Sequence, residues 1–214
     1  MGIVRHLPNL GEAERLLLEQ SILIWHAEVK TLLPDLPANL KVEFDNSRLI
    51  DKYGVGGFAA SKDKIELAFN PGFIGNKEKQ LNDLRGSYFH ENYHVVQGFV
   101  GNEFDKEMSA IDNAIYEGTA TRFESLRAKT NPSWGEYPDR KTVMSWLKSV
   151  LSLPKNYDWG KWKFYDPETG NRWIIYRVGV FIVDEALAKN PTLKIEDLVK
   201  KSPAEILEIA ELSQ

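Results

Sequence analysis

The chain has 214 residues, 43% of them hydrophobic, a length that allows one sizeable domain or two small ones. The net charge is −4 and no dense Lys/Arg run occurs, so we expect neither nucleic acid nor an anionic membrane as a partner. The absence of cysteine excludes disulfides, thiolate metal sites and cysteine nucleophiles.

No targeting or membrane segment is visible in the sequence. The N-terminal stretch MGIVRHLPNLGEAERLL lacks an apolar run as long as that of a signal peptide. No stretch approaches the ~20 apolar residues of a membrane span. We therefore expect a cytoplasmic protein, unless an export signal has been removed.

The first half of the chain predicts a helix followed by short strands. Apolar residues at alternating steps of four and three predict a helix over residues 12–33. His26 lies on this helix, and we expect it to be a core or boundary residue. Alternating apolar and charged residues predict strands at 40–44 and 65–69. Between these strands, Gly54, Gly56 and Gly57 predict a turn that leads into a short strand at 58–61.

The rest of the chain is predicted to be mostly helical. Helices are expected at 76–98, 109–127, 141–151 and 173–189, and a capping signal at Ser202-Pro-Ala-Glu205 opens a last one. We predict one α+β domain, 1–214, that is mainly helical. Residues 1–100 are expected to hold the first helix, a small sheet and the helix 76–98 on which the sheet packs. Residues 101–214 contain a Trp-rich stretch, 131–173.

The helix 76–98 carries the motif HENYH at residues 90–94. Positions four apart lie on one helix face, so the imidazoles of His90 and His94 can reach one zinc ion. Glu91 is one step round the helix, where a general base for a zinc-bound water is needed. No Lys or Arg adjoins these residues in the sequence to repel a dication. The alternative interpretation is a chance pair of helix histidines.

A catalytic zinc site needs a third protein ligand, and without Cys or a nearby His it should be a carboxylate. Glu117 is our choice, because it lies at the edge of the apolar face of the next helix. Gly118 and Ala120 beside it would allow close packing against the His helix. Glu124 is the next candidate, and the remaining ones are Asp112 and the acidic residues of the turn, Glu103, Asp105 and Glu107.

The motifs HENYH and YEGTA (116–120) together resemble those of the gluzincin metallopeptidases, which pair HExxH with a glutamate on the following helix. With Tyr176-Arg-Val-Gly179, the sequence looks most like the small predicted zinc-dependent proteases (YjaZ-like). The resemblance implies a zincin-like fold, Zn²⁺ as cofactor and a peptide or protein substrate. In gluzincins an Asp one turn after the ligand Glu supports a zinc-bound His, but Thr121 stands there. Asp112 or Glu124 could take that role.

The resemblance also implies amide hydrolysis by a zinc-activated water. Glu91 would take the proton of this water and pass it to the leaving amine. Tyr176 is the expected donor to the oxyanion, with Arg177 as the alternative. Two other functions stay open, namely a non-catalytic metal- or partner-binding protein and a zinc hydrolase of non-peptide amides or esters.

Two further features bear on substrate binding. Five of the six tryptophans lie in the Trp-rich stretch, where they form either a small aromatic core without regular structure or an aromatic wall over the cleft. A sheet edge, for which we favour 64–69, could hold an extended peptide through backbone hydrogen bonds.

Overall fold

A computed structural model describes residues 2–3, 10–101 and 108–212 of the chain. The fold is α+β and mainly helical, with one small sheet. The chain divides into two compact units, of which the first comprises residues 1–101 and 126–130 and the second the remainder. That the residues 1–214 form a single domain stays a prediction.

The first unit contains two long helices and a mixed sheet. Their bounds are β1 Gly2–Ile3, α1 Glu12–Leu32, β2 Lys41–Phe44, β3 Val55–Ser61, β4 Lys64–Phe69 and α2 Lys77–Gln97. The strand order is β1-β2-β4-β3, in which β2 runs parallel to β1 and β4, and β3 antiparallel to β4. The helix α2 packs on β3 and β4, as predicted for the sheet and the His helix.

The buried face of α1 confirms the predicted apolar stripe, since Leu18, Ile22, Trp25 and Val29 are all buried. His26, which lies beside that stripe, is half-buried, and its Nδ1 is 3.0 Å from the hydroxyl of Tyr88 on α2. It is therefore a boundary residue, as expected.

The glycine turn was predicted wrongly. Gly56 and Gly57 lie inside β3, and only Gly54 (φ +68°) adopts the turn conformation that favours glycine. Both strand glycines are needed for close contacts: a Cβ at Gly56 would come within 1.9 Å of the Arg48 carbonyl oxygen. Glycine is disfavoured in strands, so the sequence predicted only the second half of β3 and not residues 55–57.

The predicted edge strand was also wrong. Residues 64–69 form β4, which lies between β2 and β3. The two edge strands are β1 and β3, and β3 pairs only with β4 among the described strands. Strand order depends on pairing between distant segments, which alternation of residue types does not reveal.

The second unit is built from helices. Their bounds are α3 Ala110–Phe123, α4 Arg140–Leu151, α5 Trp159–Lys163, α6 Ile174–Lys189 and α7 Pro203–Ile209, with a 3₁₀ helix at Ile195–Lys200. Ser109 and Ser202 cap α3 and α7 through their side chains. The short helix α5 has no counterpart in the sequence-based prediction.

A close crossing of α3 and α6 organises this unit. A Cβ at Gly118 would come within 2.1 Å of the Gly179 carbonyl carbon, and a Cβ at Gly179 within 1.7 Å of the Ala114 carbonyl oxygen. Only glycine lets the two backbones approach so closely. The packing partner of Gly118 is therefore α6, whereas the sequence had suggested the His helix.

The Trp-rich stretch contains two helices, so the interpretation as a core without regular structure is wrong. All five of its tryptophans are half-buried rather than buried. Trp134 packs against Trp173 and Tyr176, with ring centroids 6.0 and 6.3 Å apart.

None of the described helices is long and apolar enough to cross a membrane.

Candidate metal centre and active site

Both histidines of the motif lie on α2, whose limits follow from its caps. The Asn76 side chain accepts from the Lys79 N–H at the start, and Gly98 ends the helix in the left-handed conformation. His90 and His94 are buried one turn apart, and their Nε2 atoms are 3.0 Å from each other. The helix therefore directs both rings to one point, as their spacing predicts.

Gln97 contacts the ring of His94 on the side away from His90. The His94 Nδ1 lies 3.2 Å from the Gln97 amide oxygen Oε1, and the Nε2 faces His90. The tautomer that donates from Nδ1 to this oxygen leaves the lone pair on Nε2, the atom with which His94 could bind a metal.

The carboxylate of Glu91 lies against the edge strand β3. A Cβ at Gly57 would come within 2.7 Å of Glu91 Cγ and 2.8 Å of its Oε1. Only a glycine at position 57 leaves room for the carboxylate in this position. Glu91 is itself buried, with 8% of its surface exposed, so few solvent contacts compete for it.

Glu117 lies in the middle of α3, next to the glycine of the α3–α6 crossing. Its Oε1 is 2.7 Å from the ammonium Nζ of Lys163, at the end of α5, and both side chains are only 5% exposed. The sequence had indicated no cation near the motif. Lys163 lies far from it along the chain and comes close to Glu117 only through the fold.

His90, His94 and Glu117 form a buried group of side chains that could hold a metal ion, because their ligand atoms all lie within 4.8 Å of one another. A tetrahedral zinc with Zn–N bonds of about 2.0–2.1 Å would place two nitrogens about 3.3 Å apart. The observed Nε2–Nε2 distance of 3.0 Å is close to this value. Two imidazoles and one carboxylate are also a donor set found in catalytic zinc sites, so the residues fit the metal.

The other carboxylates that the sequence offered are placed differently. Asp112 accepts from the hydroxyl of Ser109 at 2.6 Å, at the start of α3, so it takes part in the cap of that helix. Glu124 is buried in the π-helical turn that follows α3, and it is not a member of the group of three. Glu103, Asp105 and Glu107 lie outside the described residues.

The two candidates for the oxyanion donor lie at the start of α6. Tyr176 is half-buried, and the Lys163 ammonium is 5.7 Å from the centre of its ring. Arg177 donates from Nη2 to the carbonyl oxygen of Ser133 at 3.1 Å. Trp173, which precedes the helix, has φ +55°, a conformation that is costly for a bulky residue and that fixes the entry into α6.

A family model described as Predicted Zn-dependent protease (DUF2268) matches residues 15–208, nearly the whole chain. The chain belongs to this family. The DUF2268 description confirms the resemblance to predicted zinc-dependent proteases, and with the buried His–His–Glu group it identifies Zn²⁺ as the cofactor. No curated protein and no solved structure matches the chain.

Three residues that contact the candidate site, Gln97, Gly57 and Lys163, were given no role in the sequence analysis. Gln97 flanks the motif at a helical spacing of three from His94, a signal that could have found it. Gly57 and Lys163 carried no such signal. A glycine in a strand and a lysine in a five-residue helix acquire their roles only through the contacts of the folded chain.

Proposed function

We propose that the protein is a zinc-dependent peptidase of the gluzincin type, with a zincin-like fold. The observation that carries this proposal is the position of Glu91. Its carboxylate lies against Gly57 of an edge strand, one residue from a histidine of a group that fits zinc. A purely structural metal site has no need of a base at this position.

His90, His94 and Glu117 would hold the zinc in this proposal. When bound, zinc supplies Lewis-acid polarisation of the substrate carbonyl and makes water more acidic. Glu91 takes a proton from the attacking water on its carboxylate and transfers it to the nitrogen of the leaving amine. Its burial and its contact with Gly57 restrict the carboxylate to few orientations, which favours proton transfer at a fixed position.

Tyr176 is the proposed donor to the oxyanion. The position of Lys163 supports this role. Within the second unit, its ammonium contacts both the carboxylate of Glu117 and the ring of Tyr176, so Tyr176 lies near Glu117. Arg177 is a weaker candidate, since one of its guanidinium nitrogens already donates to Ser133. We expect Tyr176→Phe to lower kcat by about 10²–10³, the typical effect of losing one oxyanion donor.

An extended peptide is the substrate that the edge strand suits. In β3, the carbonyl of Val55 accepts from Ile50 N–H and that of Ala59 accepts from Gly101 N–H. In an antiparallel strand, the N–H and C=O groups of every second residue point to the same side, so those of Gly57 also point away from β4. Among the described residues, no group forms a hydrogen bond with them. A substrate strand could therefore pair with Gly57 and bring its scissile bond beside Glu91.

The half-buried aromatic residues of the second unit support a preference for apolar substrate side chains. The rings of Trp134, Trp173 and Tyr176 form one cluster, and partial exposure leaves part of their surface for a ligand.

The experiment that tests the proposed function is Glu91→Gln. This variant keeps the shape of the side chain but removes the base, so zinc content should stay at the wild-type level. Peptide hydrolysis should fall by about 10²–10⁴. A peptide-library digest measures it, with elemental analysis of both proteins as the control. Equal activity of the two proteins would contradict the proposal and favour a non-catalytic role. A wild type that cleaves esters or small amides but no peptide would favour the non-peptide hydrolase.

A further inference from the structure

Lys163 brings a positive charge, which opposes a metal ion, into contact with Glu117 of the proposed centre. Lysine is seldom buried unless its ammonium is paired, and here the ammonium is 2.7 Å from Glu117 Oε1. It also lies 4.8 Å from the ring centre of Trp159 and 5.7 Å from that of Tyr176, within the range of cation–π attraction. These three contacts hold the ammonium beside Glu117 Oε1.

We propose that Lys163 is a positioning residue that makes Glu117 a single-oxygen ligand. It holds Oε1 and presents Oε2 to the metal. This inference rests on the proposed role of Glu117 as a zinc ligand. A catalytic zinc site has three protein ligands and a water, and a carboxylate that binds with both oxygens would add a fifth ligand beside that water. Lys163 would thus keep the site at four ligands, while its positive charge lowers the affinity for the dication.

A merely structural ion pair predicts a different outcome. If Lys163 only neutralised a buried carboxylate, its removal would disturb Glu117 and weaken zinc binding, as the loss of a supporting contact usually does. The positioning role predicts the opposite direction. Without the ammonium, Glu117 binds through both oxygens and the repulsion disappears, so zinc binds more tightly.

The test compares Lys163→Met, which removes the charge at similar length, with Lys163→Arg, which retains it. Lys161→Met is the matched control, because Lys161 lies on the same helix and pairs with Glu168 at 2.5 Å, away from Glu117. Two readouts are needed: the zinc dissociation constant from competition with a chelator, and the visible absorption of the cobalt(II)-substituted protein. Cobalt(II) absorbs strongly with four ligands and more weakly with five, so it reports the binding mode.

For Lys163→Met we expect zinc binding tighter by about tenfold or more, the least that repulsion between a dication and an ammonium a few ångströms apart gives in water. The cobalt band should weaken. Lys163→Arg and Lys161→Met should keep the wild-type spectrum and an affinity within a few-fold of wild type. Weaker zinc binding with an unchanged cobalt band in Lys163→Met would overturn the inference.

Two further measurements keep the inference separate from its premise. Glu117→Gln should lower zinc affinity sharply; if it does not, Glu117 is not a ligand and the proposed site fails, whatever Lys163 does. If Lys163→Met does not fold, a crystal structure of the zinc-loaded wild type decides the question. Zinc on Oε2 alone, with Lys163 on Oε1, supports the inference, and zinc on both oxygens refutes it.

Discussion

A methyl group added at Gly57 should displace Glu91, the proposed base, and leave the proposed metal ligands in place. In Gly57→Ala the new Cβ would lie 2.7 Å from Glu91 Cγ and 2.8 Å from Oε1. Carbon atoms in contact prefer separations of about 3.5–4.0 Å, so the carboxylate must move by about 1 Å. A misplacement of this size costs about 10²-fold in rate. The zinc content should not change, because the proposed zinc ligands do not include Glu91.

The assay is kcat/KM on a peptide cleaved by the wild type, with zinc measured on the same samples. The double variant Gly57→Ala, Glu91→Gln supplies the control. If Gly57 acts through Glu91, the double variant should be no slower than Glu91→Gln alone, since the base is already gone. A full additional loss of about 10²-fold in the double variant would refute the reasoning. So would wild-type activity of Gly57→Ala.

Two further predictions concern other contacts of α2. Gln97→Ala removes the acceptor that orients His94, and we expect zinc affinity to fall by about 10–100-fold in a chelator competition; an unchanged affinity would show that the contact has no role in metal binding. Burial lowers the pKa of His26 below its usual value, so the unfolded state binds more protons there and stability declines as the pH falls through the pKa of the folded state. In urea unfolding of the metal-free protein at about pH 7.5 and about pH 5, on either side of the usual histidine pKa, His26→Gln should lose less stability on acidification than the wild type. An equal loss would contradict this assignment.

The parts of the fold that local chemistry specifies could be predicted from the sequence. The helix α2 extends from its Asn76 cap to its Gly98 cap, which agrees with the helix predicted over residues 76–98. The spacing of His90 and His94 on one face required only that this helix form. The choice of Glu117 followed from its place on the next helix, and the structure groups it with the two histidines.

The parts that depend on contacts between distant segments could not be predicted. The edge position of β3 results from the order in which the strands pair, which no local pattern shows. The glycines of β3 also weaken the strand pattern in its own sequence. Lys163 reaches Glu117 from a helix of five residues that has no periodicity to detect. Gly118 fits the backbone of α6 because both helices carry a glycine at their crossing, and neither helix reveals its partner by itself.

The zinc content of the protein and of its ligand variants tests the central claim most directly. The claim is that His90, His94 and Glu117 together hold one zinc ion. Elemental analysis after loading with zinc and removal of the excess should find about one zinc per chain in the wild type. It should find almost none in the His90→Ala, His94→Ala double variant or in Glu117→Ala, whereas Glu124→Ala should retain zinc. Full zinc content in the double variant, or its loss in Glu124→Ala but not in Glu117→Ala, would contradict the claim.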